Sequence, residues 1–181
     1  FFAAGQKDDA YEAFLDEEMA KFRTLLNELC WNEDRFIRGF TETGEVIGRR
    51  DDPEANIWLN PQSWAVMSGV GTREQNISAM NHVYHTLKTQ TGLRLIYPGF
   101  KTYPEVTEPF TGYNPGNGEN GAIFCHANGW AVIAQALLGD GDRAWEYYSL
   151  LAPQKALERV GLDTYRAEPY AWASNIVGPE N

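Results

Sequence analysis

Two side chains that can do chemistry, Glu119 and His126, lie seven residues apart at the end of a glycine-rich segment. His126 comes where a helix is predicted to begin. The first turn of a helix exposes unpaired backbone N–H groups and the positive end of the helix dipole, so His126 and that turn can hold a phosphate without a lysine or a glycine-rich phosphate loop. Glu119, on a glycine-flanked turn, is a hydrogen-bond acceptor suited to sugar hydroxyls.

Plainer interpretations of the polar side chains stay open at this point. His126 can bond a neighbouring carbonyl at the start of its helix, and Glu119 can be a solvated turn residue. His82 and His85 stand three apart on a predicted helix, a spacing that can bind a metal ion, but no third histidine or acidic cluster accompanies them. We therefore predict no metal site and interpret the two histidines as an exposed or packed helix pair.

The composition excludes several classes of protein. With 181 residues, 43% of them hydrophobic, the chain has enough apolar material for one compact domain. A net charge of -10 argues against nucleic-acid binding, which needs a basic face. No run of 18 apolar residues predicts a membrane span, and two distant cysteines fit a reducing cytoplasm. The apolar start at Phe1-Phe2 and the end after a Gly-Pro turn predict a window from a larger protein.

The elements that must position Glu119 and His126 are predicted to be mostly helices. Between residues 9 and 31, apolar residues recur at helical spacing, which predicts a helix with one face packed on a core. Residues 36–40 and 45–47 flank the turn sequence Thr41-Glu42-Thr43-Gly44. This pattern predicts a short β-hairpin inserted between helices, with the glycine in the positive-φ position of the turn.

Helical signals continue towards the two polar side chains. Asn60-Pro61 predicts an N-cap followed by the first residue of a helix, and Thr72 begins a capping box for the next helix. Proline and glycine then interrupt the pattern over residues 97–121, which predicts a loop of a length that is usually functional or disordered. Residues 126–138 predict the helix that begins with His126.

Four segments in this order resemble the motifs of glycoside hydrolase family 94. They are Asn60-Pro61-Gln62-Ser63-Trp64-Ala65-Val66-Met67-Ser68-Gly69, the run from Glu119-Asn120-Gly121 to Phe124-Cys125-His126, Gly139-Asp140-Gly141-Asp142-Arg143-Ala144, and Glu168-Pro169-Tyr170. That family contains cellobiose, cellodextrin, cellobionic acid and diacetylchitobiose phosphorylases. The resemblance implies an all-α dominated fold with a short β-hairpin insertion and long active-site loops. Residues 1–181 would form a single partial domain, the later part of an (α/α)6 toroid catalytic barrel.

The resemblance also implies an activity, the inverting phosphorolysis of a β-linked gluco-disaccharide or oligosaccharide to an α-sugar 1-phosphate. Phosphate attacks the anomeric carbon from one face while a carboxylic acid protonates the glycosidic oxygen on the other. By this resemblance His126 binds phosphate, Glu119 contacts the donor sugar and Tyr113 contacts the acceptor sugar. The implied partners are a carbohydrate and inorganic phosphate; phosphate is a substrate, so no cofactor is expected. The parent protein is expected to be a homodimer.

The catalytic general acid is expected outside this chain. In the family it is an Asp within a Trp-Asn-Asp motif, which Trp31-Asn32-Glu33-Asp34 resembles. We reject Asp34 because the segment after it, residues 36–40, resembles a stretch that follows the catalytic motif in family members. The acid is therefore expected before Phe1, and the chain alone is expected to be inactive. In the cellobiose branch a Lys commonly precedes the Glu-Asn pair, whereas this chain has Gly118, so the acceptor sugar stays open.

Two other functions remain open from the sequence. The first is an inverting hydrolase on the same toroid, with Glu119 as a catalytic carboxylate; dependence on phosphate separates it from a phosphorylase. The second is a non-catalytic carbohydrate-binding or helical interaction module, which an upstream Trp-Asn-Asp motif in the parent reading frame would exclude.

Overall fold

About half of the residues that the structure describes lie in α-helices, which are joined by pairs of very short strands. The computed structural model describes residues 2–102 and 112–179. The α-helices are α1 (Phe2–Gln6), α2 (Asp9–Cys30), α3 (Leu59–Ser68), α4 (Arg73–His82, extended by a π-helical turn at Val83–Leu87), α5 (Cys125–Leu138), α6 (Gly141–Leu151), α7 (Pro153–Val160) and α8 (Leu162–Tyr165). The strands are β1 (Trp31–Asn32), β2 (Arg35–Phe36), β3 (Gly39–Phe40), β4 (Val46–Ile47), β5 (Ile57–Trp58), β6 (Ile96–Tyr97), β7 (Ile123–Phe124) and β8 (Asn175–Ile176). The predicted all-α dominated fold is confirmed.

Local capping signals set several helix ends. The capping box before α4 is confirmed: the Gln75 backbone N–H donates to the Thr72 hydroxyl at 3.2 Å, and the Thr72 N–H donates to the Gln75 side chain at 2.8 Å. The Asp140 carboxylate caps α6 by accepting from the Arg143 N–H at 3.0 Å. Gly139 ends α5 with φ at 85°, a left-handed conformation that favours glycine.

The start of α3 differs from the sequence prediction, because Asn60 is not the N-cap. The N-cap is Trp58, which is extended and makes no side-chain cap hydrogen bond. Strand β5 pairs antiparallel with β6, and the Leu59 N–H donates to the Leu95 carbonyl at 2.9 Å. Strand pairing therefore fixes this helix start by satisfying an N–H that has no partner within the helix, and Asn60 becomes the second residue of α3.

The core surrounds α5, which packs against both α3 and α6. Its residues Ala127, Ala131 and Ala134 are fully buried and lie on one face of the helix. Their small side chains let the neighbouring helices approach closely. The largest side chains packed in this core are Ile57, Leu59, Met80, Leu87, Leu93, Ile96 and Tyr147.

The predicted helix α2 is present, but its apolar face does not pack on this core. No residue of α2 is buried, so that part of the prediction is wrong for this chain. Its large apolar side chains are between 37% and 59% exposed: Tyr11, Phe14, Met19, Phe22, Leu25, Leu26 and Leu29. A continuous apolar surface of this kind is typical of a contact face.

Four antiparallel strand pairs connect the helices in the described ranges. The predicted hairpin is confirmed as β3 with β4, in which Gly39 pairs with Ile47. The pairs β5 with β6 and β7 with β8 join segments far apart in sequence. Strand β5 ends where α3 begins, and strand β7 ends where α5 begins. Of the predicted loop over residues 97–121, residues 103–111 lie outside the described residues.

Candidate active site

Glu119 and His126 line the same cavity, whose volume is about 210 Å³. The starts of α3 and α5 form part of its wall. The other lining residues are Arg38, Trp58, Asn60, Leu95 and Phe124. Tyr113, the third residue predicted for the site, does not line this cavity and is 46% exposed. The structure therefore brings two of the three predicted residues together.

His126 is the second residue of α5 and is held by contacts between rings. Phe124, the N-cap of α5, is extended and supplies no side-chain cap. The imidazole meets the Phe124 ring at a centroid distance of 5.5 Å and the Trp130 indole at 5.2 Å, both edge to face. Within the described ranges the His126 side chain makes no hydrogen bond, so the plainer interpretation, a bond to a neighbouring carbonyl, is not seen.

Glu119 lies on a tight turn held by backbone hydrogen bonds. The Asn120 N–H donates to the Asn117 carbonyl at 3.0 Å, and the Ala122 N–H donates to the Gly118 carbonyl at 3.1 Å. Glu119 is half-buried, and its carboxylate forms no hydrogen bond or ion pair with the other residues that the structure describes. Its oxygens are therefore available to donors on a ligand, such as sugar hydroxyls.

Asn120 ties this turn to the loop that follows β6. Its side chain is fully buried. The amide oxygen accepts from the Phe100 N–H at 2.7 Å, while the amide nitrogen donates to the carbonyls of Phe100 at 2.9 Å and Tyr113 at 2.7 Å. Because the backbone of residue 120 is fixed by these bonds, the position of the neighbouring Glu119 depends on them.

Gly118 and Tyr113 pack directly against each other. Gly118 has φ at 47°, and a Cβ added there would lie 2.8 Å from the Tyr113 ring. That distance is shorter than any real Cβ contact, so a side chain at position 118 would displace the ring. A lysine before Glu119 is therefore incompatible with this placement of Tyr113.

Two more buried amides, Gln62 in α3 and Asn128 in α5, anchor the helix starts at the cavity. Each bonds both backbone groups of one distant residue and also donates to the N-cap carbonyl of its own helix. The bonds join Gln62 to Phe36 and Trp58, and Asn128 to Leu93 and Phe124, at 2.7 to 3.0 Å. Sequence reasoning missed this role, although an amide on the core-facing side of an apolar helix such as α5 is a usable signal.

Arg38 and Asn60 also line the cavity, and the sequence did not predict either as a site residue. The Arg38 guanidinium lies 5.4 Å from the centre of the Trp58 ring, a cation–π contact. The Asn60 side-chain oxygen is buried and has no hydrogen-bond partner among the residues described. No local pattern indicates that either residue lines the cavity, because only the tertiary fold brings their segments to Glu119.

Asp34, the rejected look-alike of the general acid, is bound in an ion-pair cluster. Its carboxylate lies 2.7 Å from the Arg35 side chain and 3.2 Å from the His82 ring. Burial acts to raise the pKa of Asp34, but the Arg35 hydrogen bond and the charges of Arg35, His82 and Arg50 outweigh it, so the pKa is lowered. A general acid needs a raised pKa, so this environment supports the rejection of Asp34.

The described residues offer neither a metal-binding cluster nor a membrane-spanning helix. Across residues 2–102 and 112–179, no group of three or more His, Cys, Asp or Glu side chains is arranged to hold a metal ion. No helix in the described part of the chain is both long and apolar enough to cross a membrane.

A helical domain with a carboxylate and a histidine at one cavity is suited to binding a sugar and an anion, and comparison with known proteins gives the family. Residues 2–181 match the glycosyl hydrolase 94 superfamily, catalytic domain. The chain belongs to this family, which confirms the resemblance seen in its motifs.

Similar proteins include several phosphorylases. An N,N'-diacetylchitobiose phosphorylase from Vibrio furnissii is 34% identical over 189 residues, covering 95% of this chain and 23% of the relative. A solabiose phosphorylase from Paenibacillus borealis is 29% identical over 175 residues, covering 97% of this chain and 22% of the relative. A cellobionic acid phosphorylase from Neurospora crassa is 32% identical over 128 residues, covering 70% of this chain and 16% of the relative. The chain thus spans less than a quarter of the length of these relatives.

Proposed function

We propose that the protein containing this chain cleaves a β-linked gluco-disaccharide or oligosaccharide by phosphorolysis with inversion, releasing an α-sugar 1-phosphate. The observation that carries the proposal is the shared cavity of Glu119 and His126, two polar side chains without hydrogen-bond partners among the described residues. Membership of the glycosyl hydrolase 94 superfamily and the similarity to several phosphorylases support it.

In the proposed reaction His126 holds the attacking phosphate. A phosphate oxygen forms the new bond to the anomeric carbon as the glycosidic C–O bond breaks on the opposite face. The leaving sugar oxygen takes a proton from a carboxylic acid that this chain does not supply. Phosphate is an anion near neutral pH, so it needs positioning and charge compensation more than a general base. A histidine at the start of the 14-residue helix α5 suits both needs, because the helix dipole adds to its hydrogen bond.

Glu119 is proposed to contact hydroxyls of the donor sugar, and Tyr113 the acceptor. A carboxylate can accept two hydroxyl hydrogen bonds, and a buried polar contact of this type discriminates strongly between sugars. Inorganic phosphate acts as a substrate, so the proposed reaction uses no cofactor. A cytoplasmic location is also proposed, and the free thiols of Cys30 and Cys125 support it.

The test measures sugar release by the full-length protein with and without phosphate, on a panel of β-glucosides. Release should require phosphate and yield sugar 1-phosphate. His126→Ala removes a charge-assisted contact, so the KM for phosphate should rise about 10- to 100-fold. The control is His85→Ala, because His85 is exposed and makes a similar ring contact with Tyr84 at 5.2 Å. Equal release without phosphate would refute the proposal and favour a hydrolase.

We also propose that residues 1–181 are one part of a larger catalytic domain, whose other helices pack on α2. The support is the exposed apolar face of α2, together with the small share of each relative that the chain covers.

A further inference from the structure

The imidazole of His126 lies in a row of aromatic rings that crosses from one helix to another. Trp64 of α3 meets Trp130 of α5 at 5.3 Å with an interplanar angle of 65°, and Trp130 meets His126 at 5.2 Å and 79°. Phe124 closes the row on the other side of His126, at 5.5 Å and 67°. All three contacts have the edge-to-face geometry that aromatic rings prefer.

The row connects two adjoining cavities. Phe124 and His126 line the cavity that holds Glu119, whereas Trp64 and Trp130 line a neighbouring cavity of about 430 Å³. Trp130 follows His126 by four residues on α5, so the two side chains lie on the same face of the helix. Trp130 therefore contacts the imidazole and also lines the neighbouring cavity.

An imidazole at the start of a helix binds an anion more strongly when its ring is fixed in advance. His126 is exposed and, among the described residues, forms no hydrogen bond that would fix its ring. A free ring loses rotamer entropy when it binds a ligand, which weakens binding. The indole removes part of that freedom before the ligand arrives.

We propose that Trp130 is a positioning residue for the phosphate subsite: it holds the His126 ring towards the cavity, and Trp64 supports it from α3. This inference rests on the proposed function, in which His126 binds phosphate. Trp130 lines the neighbouring cavity and not the cavity of Glu119 and His126, so its effect should appear in phosphate binding and not in sugar binding.

The experiment measures phosphate KM, sugar KM and kcat for the full-length protein with Trp130→Leu and Trp130→Phe. Trp130→Leu should raise the phosphate KM about 2- to 10-fold, which corresponds to the free energy of one aromatic contact. The sugar KM and kcat should stay within about 2-fold of the wild type. Trp130→Phe keeps an aromatic edge beside His126 and should restore most of the phosphate affinity. A purely structural role would change all three parameters together and would overturn the inference.

Two further variants complete the test. Trp145→Leu is the matched control, since Trp145 is 66% exposed on α6 and stacks only on Tyr148 among the rings described; it should leave the phosphate KM unchanged. Trp64→Leu should raise the phosphate KM less than Trp130→Leu, and it replaces that variant if Trp130→Leu does not fold. If His126→Ala raises the phosphate KM while neither tryptophan variant does, this inference fails and the proposed function stands. If His126→Ala has no effect, the phosphate role itself fails.

Discussion

Replacing Asn120 by alanine should loosen the turn that carries Glu119. Asn120 is fully buried and makes three side-chain hydrogen bonds, two to Phe100 and one to the Tyr113 carbonyl. Each such bond contributes about 1 kcal/mol, so the loss is about 3 kcal/mol. This is a large share of the roughly 5–15 kcal/mol that stabilises a typical domain. Phe100 is itself buried, so its N–H and carbonyl groups cannot replace the lost hydrogen bonds with bonds to solvent water.

Amide hydrogen exchange in the native protein is the suitable assay, because it reports local opening without requiring two-state unfolding. The Phe100 amide, which donates to Asn120 in the wild type, should exchange about 100-fold faster in Asn120→Ala, the equivalent of the lost 3 kcal/mol. Asn120→Asp keeps the oxygen that accepts from the Phe100 N–H, but it turns a second carboxylate oxygen towards two carbonyl oxygens. In this variant the Phe100 amide should therefore exchange at least as fast as in Asn120→Ala at pH 7.

The matched control is Asn117→Ala, three residues earlier in the same turn. The Asn117 side chain makes no hydrogen bond in the described part of the chain, so its loss should change exchange by less than about 2-fold. The reasoning is refuted if Asn120→Ala changes the exchange of Phe100 by less than about 5-fold, or if Asn117→Ala matches it.

Two further predictions concern the core and the surface. Burial raises the pKa of the Tyr147 phenol, more than the Gln135 hydrogen bond lowers it, so the folded state favours the neutral form. The neutral Tyr147 therefore contributes its full stability below the unfolded pKa of about 10, and the wild type loses this contribution as the pH rises above it. Phenylalanine has no phenol to ionise, so above about pH 10 the melting temperature of Tyr147→Phe should approach or exceed that of the wild type. The matched control is Tyr148→Phe, since Tyr148 is 43% exposed on the same helix. Phe22→Asp on the exposed face of α2 should lower the melting temperature of the full-length protein but not that of the 181-residue chain. The control, Thr24→Asp, should change the melting temperature of neither. Equal effects of Phe22→Asp in both proteins would contradict the packing proposed for α2.

Helix positions could be predicted where the signal is local. The capping box at Thr72 and the end of the helix predicted over residues 126–138 each depend on residues within four positions, and both are present. The same logic gave the wrong start for α3, because the N-cap preference of Asn60 is weaker than the pairing of β5 with β6. A two-residue strand has no periodicity that a sequence can reveal, so a contact between residues 58 and 96 was not predictable.

The candidate site shows the same contrast between residues that local sequence signals indicate and residues that only long-range contacts bring to the cavity. Glu119 and His126 were found because both belong to one short segment with a helix start, whereas Arg38 and Asn60 reach the cavity from other segments. The buried amides that hold these segments span long separations: 26 residues from Gln62 to Phe36, 20 from Asn120 to Phe100, and 35 from Asn128 to Leu93. Each amide replaces a pair of strand-like hydrogen bonds, so it fixes a loop that has no sheet to join. The chemistry of the cavity is therefore local in sequence, while its geometry depends on three amides that act from a distance. Losing one of them should cost substrate affinity even though none of the three lines the cavity.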